Sequence, residues 1–347
     1  MKTVVALPGE GIGVEVVDAA CEVLMGTGLP IKILTPPQGA PLPAETKRLA
    51  READGVLFGA AGPSTSPVVS WLRWEMAAWA GVRPIRFFPG MHSPLSDPDG
   101  IDYVLLRENS EGLYRGREGD LADLVRLMPT LSDRTGRTVR QFGTDGRFAV
   151  KIVTPRGAER IGRFACELAR KRQARGKPGK VTLVTKSNVL PKTDGLYDEI
   201  VRRIVREAGL TFEHFHVDDA ARRLVRFPKQ MDVVLCMNLY GDILSDLGAE
   251  TAGGLGLAPS GNFGDGWAYF ESVHGSAPDI AGKGIANPTA TILSAALMLE
   301  HMGMTTEAQR LEAAVGRVYR DGKVLTPDQG GTARTRDMAQ AVLAAYR

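Results

Sequence analysis

The sequence predicts an α/β fold built on a largely parallel sheet, and three observations carry that expectation. Short β-branched runs alternate with longer amphipathic stretches, the signature of βα units whose crossover helices cover a sheet. At 347 residues, with 44% hydrophobic and 24% charged side chains, the chain has room for two domains and a globular composition, which argues against disorder and fibrous repeats. No apolar run approaches a membrane span and the first eight residues are too short for a signal segment, so the expectation is a cytoplasmic protein with no membrane partner.

Strand candidates are residues 3–7, 55–58, 103–106, 148–153, 181–184, 212–217 and 233–237, each a short apolar or β-branched run. After the turn at 9–13, Val14, Val17, Cys21 and Leu24 recur near the 3.6-residue period and predict a helix with that face inward. Helical patterns return over 288–302, 307–319 and 335–346, with no strand run between them. Segments 88–100 and 253–261 are dense in Gly and Pro and are candidate crossings between domains.

A net charge of +3 is too small to argue for nucleic acid, and none is expected as a partner. The basic run 170–180 falls at a predicted helix end, where cations complement the carbonyl dipole; it reads as a solvated terminus or as a phosphate patch. Cys21, Cys166 and Cys236 are odd in number and widely spaced, unlike a disulfide framework or a zinc ribbon, which fits a reducing compartment.

Several residues can carry chemistry. Asp242 and Asp246 lie one helical turn apart after an apolar strand. Such a pair repels by about 0.2–0.5 kcal/mol on an exposed helix and more when desolvated, so water or a cation must relieve it. Either Asp242 is an N-cap beside a solvated Asp246, or the two join a third acid, Asp218 or Asp219, in an all-oxygen site for Mg²⁺ or Mn²⁺. The small-residue loop from His274 to Asn287 is a surface turn, or a site where free amides meet a phosphate and Asp279 accepts ribose hydroxyls. Neither it nor the 9–13 turn has the G-x-G-x-x-G fingerprint of a Rossmann fold. Arg73, Arg83 and Arg107 suit a substrate with several carboxylates, each alternatively a surface ion-pair partner. Lys186 is a base candidate or a solvated strand end.

In order, Leu-Pro-Gly-Glu-Gly-Ile-Gly at 7–13, Arg-Glu-Asn-Ser-Glu-Gly-Leu-Tyr at 107–114, Lys-Ser-Asn-Val-Leu at 186–190, Asp-Ile-Leu-Ser-Asp-Leu at 242–247 and His-Gly-Ser-Ala-Pro-Asp-Ile-Ala-Gly-Lys-Gly-Ile-Ala-Asn-Pro at 274–288 span nearly the whole chain. Together they resemble the isocitrate/isopropylmalate dehydrogenase family. The resemblance implies an isopropylmalate dehydrogenase-like two-domain fold, not Rossmann. Residues 1–92 and 253–347 would form a cofactor-binding domain, and 93–252 a central domain with the dimer interface and metal-binding aspartates.

It also implies oxidative decarboxylation of a 3-substituted malate by a homodimer with shared active sites. Arg73, Arg83 and Arg107 would bind the malate carboxylates, and Ser66, Val69 and Ser70 would line the C3 pocket. Tyr114 would protonate the enol and Lys186 would take the hydroxyl proton. Lys186 and Asp218 would reach in from the second subunit, with Asp218, Asp242 and Asp246 holding Mg²⁺ or Mn²⁺. His274, Gly275, Ser276, Ala277, Asp279, Ile280, Asn287 and Asn188 would bind the dinucleotide. Asp279 followed by Ile280 looks like the NAD-using branch, since NADP-using relatives carry Lys and Tyr there.

Two departures from the family pattern stand out. The first turn has Glu10 where relatives usually have Asp, a change expected to be tolerated, and the stretch 62–73, the substrate-selecting loop, is shorter, with Trp74, Ala77, Ala78, Trp79 and Gly81 replacing a more polar helix pattern. Hydroxyls of Ser64, Thr65, Ser66 and Ser70 ahead of Arg73 favour a polar or anionic C3 substituent, as in isocitrate, homoisocitrate or a phosphonomethyl malate. The alternatives are 3-isopropylmalate, D-malate or tartrate as substrate, or a catalytically silent regulatory subunit. Retention of Tyr114, Lys186, Asp218, Asp242 and Asp246 counts against the last.

Overall fold

A computed structural model describes residues 1–347. In chain order the elements are β1 (Lys2–Gly9), α1 (Gly13–Gly26), β2 (Ile31–Leu34), α2 (Ala44–Glu52), β3 (Gly55–Ala60), α3 (Ser66–Ser70), a π-helical turn (Trp71–Glu75), β4 (Ala80–Arg86) and β5 (Asp102–Glu108). A 3₁₀ turn (Leu113–Arg115), β6 (Glu118–Asp120), α4 (Leu121–Leu127), β7 (Arg147–Ala149), α5 (Pro155–Gln173), β8 (Lys180–Thr185), α6 (Thr193–Glu207), β9 (Thr211–His216) and α7 (Val217–Arg226) follow. The chain finishes with β10 (Val233–Cys236), α8 (Asn238–Thr251), β11 (Pro259–Phe263), β12 (Ala268–Ser272), α9 (Thr289–His301), α10 (Thr305–Asp321) and α11 (Thr335–Tyr346).

Ten strands form one sheet in the order β2-β1-β3-β12-β11-β4-β5-β10-β8-β9. The outer pairings are parallel, while β12, β11, β4 and β5 pair antiparallel in succession, so two parallel halves of opposite direction meet at β11 and β4. The α/β class holds, with that antiparallel seam added. The helices 289–301, 305–321 and 335–346 follow the periodicity closely, and no strand interrupts them.

Strand alternation decides what the seam presents. Arg83, Leu105, Arg107, Asn262 and Glu271 occupy register positions of one sheet face, and Val82, Val104, Gly261 and Phe270 occupy the other. On the first face α8 packs so closely that a Cβ on Gly241 would lie 2.7 Å from Cγ of Arg107.

Three expectations need correction. Val14 is 48% exposed, because α1 starts at Gly13 and turns Val16, Val17, Ala20, Val23 and Leu24 inward, with Cys21 half-buried. The strand expected at 148–153 is only Arg147–Ala149, paired with β6 in a separate ribbon. Its apolar alternation continues into Val150 and Ile152, which have no strand neighbour and stay 38% and 37% exposed. Asp242 is not an N-cap, since α8 begins one turn earlier at Asn238. The basic run does close α5, with Arg170, Lys171 and Arg172 in its last turn, and part of it is also paired: Arg172 with Asp102 and Asp232, Lys177 with Asp102, Lys180 with Glu213, and Arg175 with Glu300. Cys21, Cys166 and Cys236 are unpaired thiols, and no helix is long and apolar enough to cross a membrane.

Candidate active site

Two buried arginines organise the site. Arg107, at the end of β5, is 1% exposed and Arg83, on β4, 5% exposed, so neither is a surface ion-pair partner. Arg107 donates from Nε and Nη2 to Asn238 Oδ1 at 3.0 and 2.8 Å and from Nη1 to Asp242. Arg83 Nη1 lies 3.6 Å from Asp242 and 3.9 Å from Asp246, and donates to Ser245. The helical spacing of α8 therefore aims Asn238, Asp242, Ser245 and Asp246 at the sheet arginines, which relieve the repulsion between the two carboxylates.

The Tyr114 hydroxyl donates to Asp242 Oδ2, and the Arg107 guanidinium stacks on the Tyr114 ring at 4.7 Å. Burial and the bond to Asp242 raise the Tyr114 pKa. Burial works against ionisation of Asp242, but Arg107, the Tyr114 hydroxyl and Arg83 outweigh it and hold its carboxyl below the usual range. The proton therefore rests on Tyr114, and the carboxylate stays charged. Asp246 is shifted upward by burial, opposed by Arg83 and reinforced by Asp242. Its side chain is 54% exposed, open to a further ligand.

Arg73 donates to Glu271 at 3.3 Å and to Tyr269 OH at 3.4 Å, and its charge also acts on Asp242 and Arg107. Ser66 and Ser70 lie one turn apart on α3, neither hydroxyl hydrogen-bonded to another protein group, and Val69 is half-buried between them. Ser64 and Thr65 are spent locally, contrary to expectation: Ser64 donates to Glu10, and the Thr65 hydroxyl accepts from Gly62 N at 2.9 Å.

Lys186 and Asp218 lie elsewhere, paired with each other at the ends of β8 and β9; that bond holds the Asp218 carboxyl below its usual range. Asn188 is exposed nearby. Within one protomer no three His, Cys, Asp or Glu side chains group to hold a metal, so Asp218 does not join Asp242 and Asp246 in the single chain. Asp242 and Asp246 are hard oxygen donors of the kind Mg²⁺ and Mn²⁺ prefer.

The loop 274–287 wraps the 9–13 turn. Ile12 N donates to Ser276 O at 2.9 Å, and Gly11, at φ +61°, passes so near that a Cβ would sit 2.0 Å from that oxygen. Ile280 and Ala277 pack on the small cluster of Ile12, Val16 and Ala286. Gly275 and Asp279 are exposed, and no hydrogen bond or ion pair engages the Asp279 carboxylate. His274 contacts the Gly275 carbonyl through Nδ1 at 3.0 Å, its pKa is lowered by burial, and its Nε2 is buried without a partner. That orphaned nitrogen and the free Asp279 fit a dinucleotide. Asn287 is committed internally, to Tyr319, Asp328 and the amide of Thr289, so it braces the loop.

Sequence reasoning passed over Arg115. Its guanidinium stacks on Trp74 at 5.0 Å, it has no acidic partner, and it follows Tyr114 directly. Adjacency to Tyr114 was the available signal.

Comparison with known proteins gives the class and then the family. A sequence model described as isocitrate/isopropylmalate dehydrogenase matches residues 3–342. A 3-isopropylmalate/3-methylmalate dehydrogenase of Methanocaldococcus jannaschii is 42% identical, over 99% of this chain and 98% of that protein. An isocitrate/homoisocitrate dehydrogenase of Thermus thermophilus is 40% identical, over 98% and 97%. The crystal structure of isocitrate dehydrogenase from Methylococcus capsulatus superposes with a TM-score of 0.86 at 38% identity, covering 100% of both chains. The fold and the family match are those of a decarboxylating dehydrogenase. The chain belongs to the isocitrate/isopropylmalate dehydrogenase family, whose members are metal-dependent, use a nicotinamide cofactor and act on small hydroxy acids.

Proposed function

We propose that this enzyme oxidises and decarboxylates a 3-substituted malate whose C3 group is anionic, with NAD as hydride acceptor and Mg²⁺ or Mn²⁺ as metal. The observation that carries this reading is the Asp242 carboxylate held between Arg107, Arg83 and the protonated Tyr114. Arg83 and Arg107 bind and orient the malate carboxylates, with Arg73 at the edge. When bound by Asp242 and Asp246, with Asp218 of a second copy, the metal supplies Lewis acidity at the 2-hydroxyl and C1 carboxylate. Lys186, also from the second copy, receives the hydroxyl proton. Tyr114 delivers a proton to the enol carbon after CO₂ leaves, and Asp242 poises that hydroxyl.

Arg115 supports the anionic C3 group: it is an unpaired cation stacked on Trp74, in the turn that continues α3. The free Asp279 supports NAD, since it accepts ribose hydroxyls and repels a 2′-phosphate. A homodimer is supported by the exposed apolar side chains of the 118–150 region, Leu127 at 68% and Phe142 at 50%, together with Ile243 on α8 at 58%. The chain ends, 1–92 and 253–347, then form the cofactor unit, and 93–252 the unit of the dimer contact.

A second reading, 3-isopropylmalate as substrate, draws on the 42% identical relative. Steady-state rates with isocitrate, homoisocitrate, a phosphonomethyl malate, tartrate, D-malate and 3-isopropylmalate decide between them. The highest kcat/KM is expected on an anionic C3 group; 3-isopropylmalate in first place overturns that assignment.

A further inference from the structure

Behind the substrate arginines, on the opposite face of the same strands, lies a cavity of about 550 Å³ between α5 and the pair α9 and α10. Its floor is apolar: Val82, Val104, Phe164, Leu168, Phe263 and Leu297. Phe164 and Phe263 meet at 5.8 Å between ring centroids, and His301 meets Phe263 at 5.7 Å. Strand alternation puts Val82 directly beside Arg83 in the chain yet on the other side of the sheet.

The rim is charged and almost fully paired. Arg172 is held by Asp102 at 3.2 Å and Asp232 at 2.5 Å, Lys177 by Asp102 at 2.7 Å, Arg86 by Glu312 at 3.4 Å, and Arg175 by Glu300. Lys171 is the exception, a lining residue to which no acid is paired. It acts on His301, whose imidazole pKa is lowered by burial and then by Lys2 on β1 and Lys171 on α5; Glu300 neighbours it on α9, and Phe263 and Phe270 flank the ring. One wall of the mouth therefore offers a cation and an imidazole that repel when both are charged, above an apolar floor. An anion between them removes that repulsion while its apolar part fills the floor.

We propose that this cavity is a second ligand site, specific for a small amphipathic carboxylate, with the carboxylate at Lys171 and His301 and the apolar body against Phe164 and Phe263. A cavity of this size accommodates an ordinary small-molecule ligand. The Arg175–Glu300 pair ties the end of α5 to α9 across the opening. A ligand wedged there acts on the spacing of those helices, and through β4 and β5 on Arg83 and Arg107 on the front face. The coupling is reciprocal: whatever the ligand does to substrate affinity, substrate does to ligand affinity.

The probe is 4-phenylbutanoate, with 4-phenylbutanol and 4-phenylbutylammonium as uncharged and oppositely charged controls. Calorimetry on the intact enzyme is expected to show saturable binding of the carboxylate alone, weakened at least about tenfold by Lys171→Glu, a surface change that leaves folding intact. Arg107→Met, on the front face, is expected to retain the binding. The His301 imidazole, followed by NMR, is expected to titrate at higher pH with probe bound. Absence of saturable binding at millimolar probe overturns the proposal. So does binding that survives Lys171→Glu but is lost in Arg107→Met, which marks the substrate site as the one occupied. Because binding is read without turnover, an error about the enzyme's substrate leaves this result unaffected.

Discussion

Tyr114 and Asp242 share one hydrogen bond, and the direction of each pKa assigns its proton to the phenol. Removing that hydroxyl should act on one step: Tyr114→Phe should slow enol protonation while hydride transfer continues, whereas Lys186→Met should suppress hydride transfer itself. Single-turnover absorbance at 340 nm beside total product formation separates them, and unchanged turnover in Tyr114→Phe removes it as the acid. Asp246→Asn should keep the fold and lose most turnover at ordinary Mg²⁺, read as retained circular dichroism with a depressed rate. Asp279 should set a preference for NAD of about tenfold or more in kcat/KM, because an unpaired acid facing a 2′-phosphate costs about 1.4 kcal/mol. Equal use of both cofactors contradicts that role. At this scale the sequence motifs carried most of the site: Arg83, Arg107, Tyr114, Asp242 and Asp246 do converge in one chain. They did not disclose that Ser64 is taken by Glu10, because a bond between residues 54 positions apart has no local signature.

Helix α8 carries the site's acids, and its fit to the sheet depends on Gly241. A methyl there meets the Arg107 stem at 2.7 Å. Overpacking costs about 1–3 kcal/mol, while replacing a helical glycine by alanine gains back about 1 kcal/mol. Gly241→Ala should therefore unfold only a few degrees lower in a thermal melt yet lose an order of magnitude or more in kcat/KM, since Arg107 must turn away from Asp242. A fully active variant would show that this contact does not position Arg107. Legibility at this scale was uneven for a physical reason. The apolar runs of β1, β3, β5, β8, β9 and β10 were legible as strands, while the short edge strand β2 and β12 were passed over; β4, Ala-Gly-Val-Arg-Pro-Ile-Arg, and β11, Pro-Ser-Gly-Asn-Phe, contain residues that strands ordinarily avoid. Those two strands form the antiparallel seam, and their small and polar side chains leave room for Arg83 and Asn262.

For the whole molecule, Lys186 and Asp218 stand away from Tyr114, Asp242 and Asp246 in one protomer, and apolar side chains of the 118–150 region and α8 are exposed. A symmetric dimer that exchanged these residues would complete two sites at once. Chains carrying Lys186→Met and chains carrying Tyr114→Phe, each impaired alone, should therefore complement when unfolded and refolded together. Random pairing makes half the dimers mixed, and each mixed dimer holds one intact site, so about a quarter of wild-type activity should return. No gain over the separate variants means that each chain supplies its own lysine and tyrosine. The central claim, oxidation coupled to loss of the β-carboxylate at a metal-dependent site, is tested most directly by measuring NADH and CO₂ together from purified enzyme and isocitrate or homoisocitrate, with and without chelator. The account predicts equal amounts of the two products with Mg²⁺ or Mn²⁺ present and neither in excess chelator; NADH without CO₂, or full activity in chelator, contradicts it.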